Sequence, residues 1–178
     1  MTYTAEATLA AAAQWVGYHE ASDGTTPFGY QWGFPDGAFC GMACQTWTVE
    51  AGGIVNNDPT IGTVPHTEYT VTGVELWQAW GRWHWADEEP EIGDFVYFRW
   101  FNSRSNDPYH HVGLARAKND WPYALGTTEA NIDNSVLNLT RPNDGQIIGF
   151  GRPRYGLTLP TIITPPIQED PMIVLTNP

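Results

Sequence analysis

Basic residues are scarce in this chain. Only 8 lysines and arginines stand against 20 aspartates and glutamates in 178 residues, a formal net charge of −12. That balance argues against general binding of nucleic acid or of an anionic membrane surface. No apolar run is long enough to span a bilayer. Met1 to Gly17 contains no lysine or arginine, so the basic start of a signal peptide is missing. Cysteine is scarcer still, with two residues. Without a secretory signal, these point to reduced thiols in a protein made in the cytoplasm. What the chain does have is apolar and aromatic residues, at 42% and 13%. A single folded domain with a true core is expected. Nine tryptophans exceed what such a core needs, so some are expected to line a groove.

One of the two cysteines opens the most informative stretch, Phe39-Cys40-Gly41-Met42-Ala43-Cys44. The turn residues Pro35-Asp36-Gly37 precede it, and apolar residues then recur at helical spacing through Met42, Ala43, Trp47 and Ala51. Gly52-Gly53 closes the pattern. Cys40 therefore falls at a helix N-terminus, where unpaired N–H groups and the helix dipole favour the thiolate, the nucleophilic form. The competing reading is two small buried hydrophobes, a common fate of free cysteine.

The chain in order predicts a helix over Ala5–Val16, stopped by Gly17, and an irregular segment over Tyr18–Phe39. In that segment Phe28, Tyr30, Trp32 and Phe34 are candidates for a cleft wall or for the edge of a core. A loop over Ile54–Thr70 and a helix over Val74–Trp83 follow, then an acidic turn at Asp87-Glu88-Glu89-Pro90. From Gly93 the period changes to that of strands: Asp94–Phe101, His111–Ala117, Tyr123–Asn131 and Gln146–Arg152, with a loop over Asn102–Pro108. Helices followed by an antiparallel sheet make an α+β fold. His111 begins one strand, while Glu129 and Asn131 occupy alternate positions of another and so share a face. Either could orient the His111 ring, which is the arrangement nucleophilic catalysis requires.

These residues resemble the CHAP peptidoglycan hydrolases of the papain-like and NlpC/P60 group, and in particular the catalytic domain of an actinobacteriophage endolysin. The motifs are Gly17-Tyr18-His19-Glu20, Phe28-Gly29, Phe39-Cys40-Gly41-Met42 with Trp47, and Ile92-Gly93-Asp94-Phe95-Val96-Tyr97-Phe98. They continue with His111-Val112-Gly113, Thr128-Glu129-Ala130-Asn131 and Gly149-Phe150-Gly151-Arg152-Pro153, spanning about residues 15–155. The resemblance implies a papain-like fold and cleavage of an amide bond in bacterial peptidoglycan. Cys40 is then the nucleophile, His111 the base and Glu129 the orienting carboxylate, with Asn131 assisting. It also implies no cofactor and no metal, and a monomer that acts on the cell wall after release from the host cytoplasm. Phe39 stands where several family members carry glutamine, which leaves the Cys40 N–H as the oxyanion donor, with Gln31 or Tyr30 as a second. Phe28, Tyr30, Gln31, Trp32, Phe39 and His110 are the candidate substrate contacts.

Residues 1–155 form the expected catalytic domain. A Pro/Thr-rich linker is expected over 156–171, and 172–178 is either a tail or the start of a further module. Two rival classes stand beside the hydrolase. One is a non-catalytic wall-binding or phage-tail module of the same fold. The other is a metal site of His110, His111 and a cysteine, disfavoured because adjacent strand residues point to opposite faces.

Overall fold

The computed structural model describes residues 2–100 and 108–157. The expected strand end at Phe101, most of the following loop, the linker from 158 onward and the tail at 172–178 lie outside the described residues.

The first helix, α1 (Ala5–Ala13), begins where Thr4 caps it by accepting the Ala7 N–H at 3.1 Å. It ends earlier than expected, because Gln14, Trp15 and Val16 donate to carbonyls three residues back, tightening the last turn. The segment read as irregular contains a helix, α2 (Pro27–Trp32). Its signals are local: Thr26 accepts the Gly29 N–H, Pro27 opens the first turn, and Gly33 closes it at φ 85°. That left-handed backbone favours glycine. Helix α3 spans Cys40–Glu50, as its spacing predicts. Helix α4 spans Thr70–Ala79, so it starts and stops about four residues before the expected positions.

Six strands follow: β1 (Trp83–Trp85), β2 (Phe95–Phe98), β3 (His111–Asp120), β4 (Ala124–Ile132), β5 (Ser135–Pro142) and β6 (Ile147–Gly151). They form one antiparallel sheet in the order β1-β6-β2-β3-β4-β5. The fold is α+β, with four helices and a six-stranded antiparallel sheet among the described residues. Strands β1 and β5, the two edges, are additions to the four expected. Strand β5 returns from β4 through Asp133 and Asn134, both at positive φ, the two-residue turn that matches strand twist.

Two apolar layers flank the sheet. One gathers Phe28, Phe39, Trp47 and Trp77 from the helices against Phe95, Tyr97, Val112 and Leu114. The other joins Val96, Phe98, Ala115, Leu125, Ile147 and Phe150. Alternation along β3 sends Val112 and Leu114 into the first and Ala115 into the second. The described chain ends are tied together, since Tyr3 donates to Leu157 O and Gly156 donates to Tyr3 O. Residues 156 and 157, expected to begin a linker, thus dock on the N-terminal segment. Among the described residues no helix is long and apolar enough to cross a membrane.

Candidate active site

Helix α3 packs against β3 and β4, which brings its N-terminus to the first residue of β3. Phe39, the residue before the helix, supplies no side-chain cap, so the first-turn N–H groups are not spent on a capping side chain. Cys40 is buried, 5% exposed, and His111 and the N–H groups of Val112 and Gly41 are the neighbours that act on its thiol. Burial pushes this thiol up. The hydrogen bond and charge of His111, with the two N–H groups, outweigh burial and hold it below the ordinary cysteine range.

His111 is buried, and its Nε2 lies 2.9 Å from Glu129 Oε2. That leaves Nδ1 as the ring nitrogen for Cys40. Burial alone would lower the basicity of the ring, but Cys40 and Glu129 together raise it to about 9. Both shifts run toward a thiolate beside an imidazolium. Phe98 and Trp100 flank the ring at 5.6 and 5.5 Å.

Glu129 is fully buried, yet every lone pair has a donor. Arg141 reaches it as a fork, Nε to Oε1 at 2.8 Å and Nη2 to Oε2 at 2.7 Å. Thr127, two residues back on the same face, donates its hydroxyl to Oε1. Burial would raise the carboxyl, but Arg141, His111 and Thr127 bring it down to about 2. The guanidinium itself rides over the rings of Phe98 and Trp100, 5.6 and 5.1 Å from their centroids.

The motif His111-Val112-Gly113 now has a physical reason. Gly113 pairs with Glu129 across β3 and β4, and a Cβ there would lie 2.5 Å from Glu129 Cγ. Only a bare backbone lets Glu129 lie over β3 and reach the ring of His111.

The other expected site residues separate into groups. Asn131 makes no side-chain hydrogen bond with His111. Its backbone is left-handed at φ 63°, and the β4–β5 register shifts between Glu129 and Ile132. The bulge ends the alternation that was to put Asn131 beside Glu129, and among the described residues Glu129 holds the ring nitrogen alone. Phe28 and Phe39 are not cleft walls. Both are fully buried, stacked at 5.7 Å with 9° between planes, and Phe28 meets Trp47 edge-on.

Gln31 and Trp32 serve the α2–α3 contact: Thr46 donates to Gln31 Oε1, and Trp32 Nε1 donates to Met42 O and to Thr46. Thr46 lies six residues along α3 from Cys40, roughly 9 Å at the helical rise, so Gln31 is out of reach as a second oxyanion donor. Tyr30 is 64% exposed. His110 is half-buried and accepts the Trp100 N–H at Nδ1, fastening the β2–β3 connection. The two adjacent histidines are thus committed to different partners. Among the described residues no group of His, Cys, Asp or Glu is arranged to hold a metal ion.

Three participants escaped the sequence reading. Arg141 sits on the unexpected strand β5. Thr127 was legible in principle, two positions before Glu129 on one strand face. Gln45 is buried on α3, one turn below Gly41. It accepts the Thr67 N–H and donates to the carbonyls of Thr67 and Gly41, clamping the segment before α4 across the helix start.

The chain matches no protein-family profile and no curated protein.

Proposed function

We propose that the chain is a cysteine peptidoglycan hydrolase of the CHAP type, a papain-like enzyme of the endolysin kind that cuts an amide bond of the bacterial cell wall. The observation that carries the reading is a thiolate-poised Cys40 at an uncapped helix start, paired with a buried His111 whose far nitrogen is held by Glu129. The resemblance of the surrounding motifs supplies the substrate class.

In this reading the Cys40 thiolate attacks the amide carbonyl carbon, forming a C–S bond while the carbonyl π pair moves to oxygen. The Cys40 N–H at the helix start faces the developing oxyanion. Collapse re-forms the carbonyl and breaks the C–N bond, and His111, as imidazolium, gives its Nδ1 proton to the departing amine. Neutral His111 then takes a proton from water, whose oxygen attacks the thioester and releases the acid and Cys40. Glu129 keeps the ring oriented and its positive form stabilised through both halves. The protein acts on the wall after leaving the cytoplasm that made it, as a monomer.

The test uses purified, dye-labelled cell walls. Cys40→Ala should abolish dye release while the protein still sediments with the walls. Undiminished release would overturn the proposal. Mass spectrometry of the soluble fragments identifies the bond as muramoyl–alanine or peptide.

A further inference from the structure

Beside Cys40 a groove of about 130 Å³ runs between the loop after α2 and the segment before α4. Phe34, Gly37 and Ala38 form one wall, Glu68 and Tyr69 the other, and Met42 the floor. Ala38 and Met42 lie two residues to either side of Cys40 in sequence. A Cβ on Gly41 would sit 3.7 and 3.8 Å from the carbonyl oxygens of Thr67 and Glu68, so the wall bearing Glu68 presses on the helix start itself. The groove therefore lies beside the start of α3, the turn that carries Cys40.

Its chemistry is uneven. Phe34 and Tyr69 are 44% and 66% exposed, unusual for rings of their size. Glu68 is the one carboxylate among the described lining residues, its side chain 23% exposed. Among the described residues its ionic neighbour is His66, at a loose 3.6 Å. The carboxylate keeps capacity for a further donor. Gln45 fixes the whole segment through both backbone groups of Thr67, so the wall is pre-formed and needs little ordering on binding.

We propose that this groove binds a primary ammonium group on an aliphatic side chain, with Glu68 as the ion partner and Phe34 and Tyr69 against the alkyl stem. A half-buried carboxylate in a groove shared with two exposed aromatic rings suits an alkylammonium on three counts: charge, hydrogen-bond donors and attraction to the rings. A second carboxylate or a phosphate is repelled there. Resting on the hydrolase reading, the group is the free side-chain amine of a diamino acid in a peptidoglycan stem, and Glu68 is a specificity-determining residue.

The experiment uses the full chain and two soluble stem peptides ending in a diamino acid. Both are blocked at the N-terminus; one has a free side-chain amine and the other is acetylated there. The Cys40→Ala protein should bind the free amine about tenfold more tightly, a difference of about 1.4 kcal/mol. Adding Glu68→Gln should erase that preference, and Glu68→Asp should keep part of it. On intact walls, Glu68→Gln should raise KM with kcat unchanged, and acetylating the wall amines should weaken wild type but not the variant. Equal binding of both peptides, or a preference that survives Glu68→Gln, overturns the proposal. A preference without any wall cleavage by wild type would uphold the groove and overturn the hydrolase reading.

Discussion

Glu129 and Asp94 are both fully buried carboxylates held by an arginine fork, yet they behave in opposite ways. Arg141 grips Glu129 through Nε and Nη2 at 2.8 and 2.7 Å. Arg152 grips Asp94 through Nε at 3.1 Å and Nη2 at 2.9 Å, while the Glu91 N–H adds a third donor. Burial raises both acids. At Asp94 it wins over Arg152, and the carboxyl stays above its ordinary range. At Glu129 it loses, because His111 and Thr127 join a closer arginine fork. The arginine fork is thus common scaffolding, and what singles out Glu129 is the histidine on its far side. Asp94 ties β2 to the Arg152 segment after β6 and faces no nucleophile. One carboxylate staples the sheet; the other sets the charge of a neighbour.

The largest expected separation lies in turnover. Glu129→Gln should lower kcat by roughly 10³- to 10⁴-fold in fluorescent wall-release assays, as loss of an imidazolium-stabilising carboxylate does in comparable sites. Asp94→Asn should leave kcat per folded molecule within about twofold of wild type. A comparable loss in both variants would erase the distinction.

Stability should show the reverse emphasis. Removing one partner of a buried pair costs on the order of 3–5 kcal/mol, so Arg152→Met should lower the urea midpoint sharply while activity of the folded fraction persists. Arg141→Lys keeps the charge but not the fork. It should lower kcat about tenfold with a small stability loss, read by the same two assays.

The pH responses have opposite signs. Glu129, with its folded value near 2, stabilises the fold above the ordinary glutamate range, and that contribution is lost as pH falls toward 2. Asp94, raised in the fold, stabilises in acid, and its contribution is lost as pH rises through its own raised value. His111 follows the second pattern higher up, complete below its ordinary 6.5 and lost as pH rises through about 9. Wall cleavage should therefore fall above pH about 9, and Arg141→Gln, which removes a positive charge behind Glu129, should move that limb upward. A downward move would contradict the charge argument. The smallest effect belongs to Asn131→Ala, expected within about twofold of wild type in kcat. A larger loss than that of Glu129→Gln would reverse their roles.

How much of this was legible depended on how local each signal is. Cys40 and His111 announce themselves by position, after a turn and at a strand start, and Glu129 by its strand. Arg141 does not, because β5 offers a single fully buried residue, Val136, and enters through a turn without glycine. Asn131 misled because alternation holds only until a bulge, and a left-handed asparagine leaves no period to count. Phe28 and Phe39 misled for another reason. A long stretch rich in glycine and proline reads as a wall, whereas the Thr26 cap and Pro27 fold part of it into a helix that turns Phe28 inward, where it stacks on Phe39 ahead of α3. The coarse α+β order survives these errors, since it rests on where the hydrophobic period changes near Gly93.

The spacing of the two thiols has a consequence for the lifetime of the protein in air. Cys44 lies one turn beyond Cys40 on the same helix, fully buried, and burial with the nearby charges of Cys40 and Glu129 keeps its proton on well above the ordinary range. Peroxide that converts the Cys40 thiolate to a sulfenic acid therefore finds no second thiolate to close a bond. One helical turn also aims the side chains poorly for a disulfide. Each oxidised molecule must wait for an outside thiol or proceed to the sulfinic acid, which does not return. Inactivation by peroxide should be a single-hit process, with full recovery by dithiothreitol early and a growing unrecoverable fraction later.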